Sequence, residues 1–150
     1  MSIVEMTEQR KNEFLSLSLA HAGELAYAEE AAGSYELIGH LNRFFRYVTQ
    51  QADRVILKDE IRACQAYVSI QQISSPFSLT VDFEATGETA EALVSRFAVI
   101  DVLDEYIEST SGRQPAGLAV TLRLRREGPT LQCELYAQGR ATPEAVRALA

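Results

Sequence analysis

Residues 37–71 read LIGHLNRFFRYVTQQADRVILKDEIRACQAYVSIQ. Leu37, Leu41, Phe44 and Val48 recur at spacings of four, three and four, which is one face of a helix, and Ile38 and Phe45 widen the stripe. The spacing predicts a helix from about Glu29 to Gln50. Gln51-Ala52-Asp53-Arg54 is a short polar hinge without Gly or Pro, and a further helix from about Lys58 to Ile73 buries Ile61, Cys64 and Tyr67 or Val68, with Gln71 at its rim. Two helices cannot enclose a stripe led by two phenylalanines. Pairing with a second hairpin into a four-helix bundle is the natural solution, so a homodimer through Leu37, Leu41, Phe44, Phe45 and Val48 is the default expectation. Packing of the stripe on the rest of the same chain is the alternative.

Before this stretch, a first helix from about Thr7 to Tyr27 opens at Thr7 with Gln9 and Arg10 behind it and carries Phe14, Leu17, Leu19 and Leu25. After it, Ser74-Ser75-Pro76 ends the third helix, because the residue before a proline is pushed out of the helical region. Phe77 to Glu84 then alternates apolar with polar residues and reads as a half-buried strand. A fourth helix is expected from about Thr89 to Ser109, broken by Thr110-Ser111-Gly112. Leu118–Leu124 and Leu131–Leu135 alternate again and flank a hairpin turn at Glu127-Gly128-Pro129. The fold class is therefore α+β: an antiparallel helical hairpin over residues 7–52, then an α/β unit over 55–150.

The chain has 150 residues, 47% of them hydrophobic, and a formal net charge of -7. That charge argues against sequence-independent binding to nucleic acid or anionic lipid, both of which need clustered Lys and Arg. Cys64 and Cys133 have no CxxC spacing and sit in apolar patterns, so buried free thiols in a reducing cytoplasm are expected. There is no run of about 18 apolar residues and the N-terminus is too polar for a signal peptide, so no membrane segment is expected in this chain. No metal site is expected either. Asp101, Asp104, Glu105 and Glu108 share a helix face, but a solvated acidic face is the plainer reading.

The order of motifs resembles the LytS/YesM-type sensor histidine kinases. In that family a helix ending in Leu-Leu-Arg-Tyr is followed by Val-x-Leu-x-x-Glu-Leu and then Tyr-Leu-x-Ile-Gln. The counterparts here are Phe44-Phe45-Arg46-Tyr47, Val55-Ile56-Leu57-Lys58-Asp59-Glu60-Ile61 and Tyr67-Val68-Ser69-Ile70-Gln71. The resemblance implies a dimerisation and phosphotransfer hairpin followed by a partial GHKL (Bergerat-like) ATPase sandwich.

It also implies where phosphate chemistry should reside, and other residues stand there. The phosphoacceptor motif Pro-His-Phe-Leu-Phe-Asn falls on Asn12-Glu13-Phe14-Leu15-Ser16-Leu17, so Glu13 holds the histidine position. A carboxylate is a far weaker nucleophile than a neutral imidazole, although it places a permanent negative charge where phosphate would come and go. The N-box Glu-Asn-Ala-Ile-Lys-His falls on Asp104-Glu105-Tyr106-Ile107-Glu108-Ser109, with Glu105 in place of the magnesium-holding asparagine. The first glycine-rich box falls on Ala137-Gln138-Gly139-Arg140-Ala141-Thr142-Pro143, with Ala137 in place of the adenine-reading aspartate and Ala141 in place of the second glycine; Glu144 to Arg147 then reads as helix-like. The chain reaches Ala150 before the family's ATP lid would appear. Binding of ATP and magnesium is expected to be lost.

These readings converge on a dimeric pseudo-kinase, with a response regulator or a partner histidine kinase as its binding partner. The alternative is a histidine phosphotransferase of a phosphorelay, which would have to use His21 or His40, the only two histidines.

Overall fold

Helix α1 (Glu8–Ala28) and helix α2 (Ala32–Val48) form an antiparallel hairpin. The chain reverses at Glu30, which takes a left-handed φ of 59°. There Ala31 N donates to Ala26 O at 2.8 Å and Glu30 N to Tyr27 O at 3.1 Å. This is the paired-bond helix ending that usually carries glycine at its left-handed position. Along the seam, Gly23 lets α2 approach: a Cβ built there would lie 3.4 Å from Ile38 Cγ2. Ser16 Oγ donates to Asn42 Oδ1 at 3.1 Å, and the Tyr27 and Tyr35 rings sit 5.5 Å apart between centroids. By helical spacing Phe45 belongs to the row of Ile38 and Asn42 facing α1, whereas Leu37, Leu41, Phe44 and Val48 lie about a quarter-turn away. The hairpin has almost no interior. Among the described residues only Gly23, Ala26 and Tyr47 are buried in these two helices, while Phe14, Leu17 and Leu25 are 62%, 61% and 62% exposed.

The structure is a computed structural model and describes residues 8–74, 78–110 and 117–149. The expected cap at Thr7, the break at Ser75-Pro76, the strand start at Phe77 and the breaker at Ser111-Gly112 lie outside the described residues. The chain divides into two compact units, Met1–Gln51 and Ala52–Ala150.

In the second unit the elements are β1 (Arg54–Ile56), α3 (Leu57–Ser74), β2 (Leu79–Ala85), α4 (Gly87–Ala90), β3 (Leu93–Ser95), α5 (Ala98–Thr110), β4 (Leu118–Glu127), β5 (Thr130–Ala137) and β6 (Ala145–Ala148). A mixed sheet runs in the order β2-β4-β5-β6, with β2 parallel to β4 and the other pairs antiparallel. Its inner face, Leu118, Val120, Leu122 and Leu124 of β4 with Leu131, Cys133 and Leu135 of β5, is buried. The apolar sides of α3 and α5, including Leu57, Cys64, Val68, Val99, Leu103 and Ile107, complete the core. The outer face is polar: Arg123 pairs with Glu84 at 2.9 Å and lies over the Tyr136 ring, and Arg125 pairs with Glu134. Gly117, at φ 106°, is required where it stands, since a Cβ would fall 2.5 Å from Ser78 O.

Two expectations need correction. The continuous helix over Thr89–Ser109 is instead α4, β3 and α5, because Leu93, Val94 and Ser95 pair with Ile56, Val55 and Arg54 and the backbone turns at Phe97 with φ 75°. The helix-like segment after Pro143 is strand β6, paired with Gln132–Leu135 of β5; Leu149 follows it into the core at 1% exposure.

Candidate functional site

In the hairpin, Glu13 is exposed on α1, where Gln9 Nε2 donates to its Oε1 at 3.3 Å. It edges a shallow groove shared with Asn12, Ser16 and Thr49, all neutral hydrogen-bonding side chains. His21 is exposed on the side of α1 that carries Phe14, Leu17 and Leu25. His40 is half-buried beside a groove of about 540 Å³ between the helices, and its Nδ1 is enclosed without a hydrogen-bond partner among the described residues. The two histidines are thus differently placed: one is presented outward, the other is partly enclosed in the hairpin.

In the second unit the site positions are arranged by contacts between α3 and α5. Glu60 is fully buried, and its carboxylate accepts from three backbone amides: Phe97 N at 3.0 Å, Val99 N at 2.9 Å and Ile100 N at 3.1 Å. A helix normally draws such a cap from its own preceding residue; here α5 draws it from α3. The negative charge also meets the positive end of the helix dipole. Two turns along α3, the Tyr67 hydroxyl donates to Asp104 Oδ1 at 2.5 Å and accepts from Gln71 Nε2 at 3.2 Å. Burial, then the hydrogen bond to Asp104, pushes the Tyr67 phenol well above its ordinary value. It therefore stays protonated and remains a donor. Glu105 points elsewhere, 3.7 Å from Arg147 of β6, in an exposed and hence weak ion pair.

The acidic residues of α5 do not form a cage. Asp101, Glu105 and Glu108 are exposed and Asp104 is turned to Tyr67. Asp101 is pushed up by partial burial, then by the charges of Glu60, Glu105 and Asp104. Among the described residues no three His, Cys, Asp or Glu side chains come together in a group that could hold a metal ion.

Ala137 ends β5 and Gly139 and Ala141 lie in the loop that follows, all three lining an open trough of about 780 Å³ over the outer sheet face. Ala137 also borders a smaller pocket of about 450 Å³ next to the second half of α5, with Tyr106, Thr110, Gln138, Arg140 and Glu144. Neither Asp104 nor Glu105 lines that pocket. Around these positions Asp104 accepts from Tyr67, Glu105 lies 3.7 Å from Arg147, and the Ala137 side chain carries no hydrogen-bond acceptor.

Cys64 and Cys133 are both free and fully buried, and burial first of all pushes both thiols up, Cys133 to about 12. The motifs that contain Glu60 and Tyr67 do not by themselves name the partners of these residues. For Glu60 the available signal was an acid in the first turn of a helix at a core-facing position.

The described fold is a helical hairpin followed by an α+β unit with a mixed sheet. The family model for histidine kinases matches residues 2–78, just over half of the chain, and the chain belongs to the histidine kinase family. The matched span contains position 13, the Phe-Phe-Arg-Tyr segment and the whole of α3. No curated protein matches the chain. No helix among the described residues is long and apolar enough to cross a membrane.

Proposed function

We propose that this histidine kinase family member is a degenerate, nucleotide-incompetent relative of the LytS/YesM type, with a GHKL-like second unit, acting as a dimeric cytoplasmic adaptor in a two-component pathway. The observation that carries the reading is the engagement of the remaining N-box-like acids: Asp104 receives the Tyr67 hydroxyl and Glu105 faces Arg147. Glu13 at the phosphoacceptor position and Ala137 at the adenine-reading position support it. Dimerisation is supported by the sparse interior of the hairpin, whose half-exposed Leu37, Leu41, Phe44 and Val48 gain burial only against another surface. What such a chain can do is pair with itself and occupy the docking surface of a response regulator or a partner kinase. Calorimetric titration with Mg-ATP at millimolar nucleotide tests the reading; a saturable site would refute it.

One observation favours a second reading, a phosphotransferase: His21 is exposed and accessible on α1. Incubation with a phosphorylated response regulator separates the two. Acid-labile label on the wild type that disappears in His21→Ala supports transfer, and its absence supports the adaptor.

A further inference from the structure

The pocket of about 450 Å³ between α5 and the β5–β6 loop is within the size range of small-molecule sites and has a mostly polar lining. Two of its side chains, Arg140 and Glu144, carry opposite charges, and neither makes an ion pair among the described residues. Both line the pocket beside Tyr106, whose phenol is pushed up by burial first, then by Glu144, and pulled down by Arg140. The loop that carries them is tied at both ends, with Arg140 N donating to Ala137 O at 3.1 Å and Glu144 N to Leu135 O at 2.7 Å. Two opposite charges held on one anchored loop without closing on each other leave both available to a guest.

We propose that this pocket binds a small zwitterion of the free amino-acid class, its carboxylate at Arg140 and its ammonium at Glu144, with the Tyr106 hydroxyl and the Gln138 amide available to the polar atoms between. A ligand with a single charge would leave one of the two side chains unpaired. A polyphosphate is disfavoured, because one guanidinium cannot offset it beside Glu144 and the exposed carboxylates of α5, in a chain of net charge -7. Ala119 and Ala137 leave room at the pocket wall where longer side chains would fill it. The inference rests on the nucleotide-incompetent reading above and assigns that region a different ligand.

The test uses the full chain. The standard free amino acids are screened by thermal shift at millimolar concentration, and the best stabiliser is titrated calorimetrically beside its N-acetyl form and its amide form, each of which lacks one charge. The expected result is saturable binding of the amino acid, weakened about tenfold or more in either single-charge analogue and in Arg140→Ala or Glu144→Gln. Both side chains are exposed, so circular dichroism should show the variants folded. Absence of saturable binding by every amino acid, or variants that bind like the wild type, overturns the proposal. Mg-ATP titrated in parallel keeps the two readings apart: saturation by ATP rejects nucleotide incompetence, whereas silence to both ligands rejects only the zwitterion.

Discussion

Replacing Glu60 tests whether α3 holds α5 in place. The carboxylate is 0% exposed and accepts from three amides at 2.9 to 3.1 Å, one of them the amide of Phe97, whose left-handed φ of 75° is itself unfavourable. A hydrogen bond to a charged group contributes about 1.5–3 kcal/mol, and a buried donor left without a partner costs about 1–3 kcal/mol. Three of them cannot simply be added, since water can reach a loosened helix end. We expect Glu60→Ala to cost about 3–5 kcal/mol, a large share of the roughly 5–15 kcal/mol that a domain has available. Glu60→Gln keeps the length but loses the charge and one acceptor oxygen, and should cost about 2–3 kcal/mol. For a domain of about a hundred residues each kcal/mol moves Tm by roughly 4–8 °C, so the glutamine variant should melt about 10–20 °C lower. Urea unfolding followed by far-ultraviolet circular dichroism gives the free energies directly. A Glu60→Ala change within about 0.5 kcal/mol of wild type, the range of an ordinary surface substitution, would refute the reasoning.

Glu30→Gly should stabilise the hairpin by about 1 kcal/mol, because the left-handed φ of 59° strains a side chain but not glycine; a melting comparison at fixed protein concentration checks it. Phe44→Glu should shift sedimentation from dimer to monomer at micromolar protein, and an unchanged mass would count against the hairpin interface. Cys64 and Cys133 should resist Ellman's reagent at pH 8 in the folded chain and react in denaturant, since both are fully buried with raised thiol values. The fold holds these thiol protons more tightly than the unfolded chain does. The stability this contributes is complete below pH 9.0 and falls as the pH rises toward about 12. Denaturant midpoints measured from pH 8 upward should show that decline, and Cys133→Ala should flatten it.

Periodicity made the helical elements legible where a stripe was long. Leu37 to Val48 places α2, and Leu118 to Leu124 places β4, because burial on one face imposes a period that the residues display. It failed at Leu93-Val94-Ser95. Three residues are too few to show alternation, and their strand state depends on pairing with Arg54–Ile56, some forty positions earlier. Ala145–Ala148 differs for a similar reason: Ala and Arg favour helix locally, but the edge of β5 supplies hydrogen bonds that propensity does not encode. At the candidate site the sequence alone sets Glu13 and Ala137 against a motif. The contacts around the α5 acids are not legible in it. Tyr67 with Asp104, and Glu60 with the start of α5, join residues 37 positions or more apart and need the tertiary fold to meet.

The unequal interiors of the two units give the chain two kinds of order. Residues 52–150 enclose a leucine- and valine-rich core and can reach their folded state by an intramolecular process whose midpoint is indifferent to dilution. Among the described residues the hairpin encloses Gly23, Ala26 and Tyr47, so in the proposed dimer its paired form would obey mass action. Under that proposal the abundance of the chain would become an input in its own right: a few-fold change in expression across the dissociation constant would alter the fraction of paired hairpins without any covalent mark, and a partner hairpin present in excess would capture the unpaired ones.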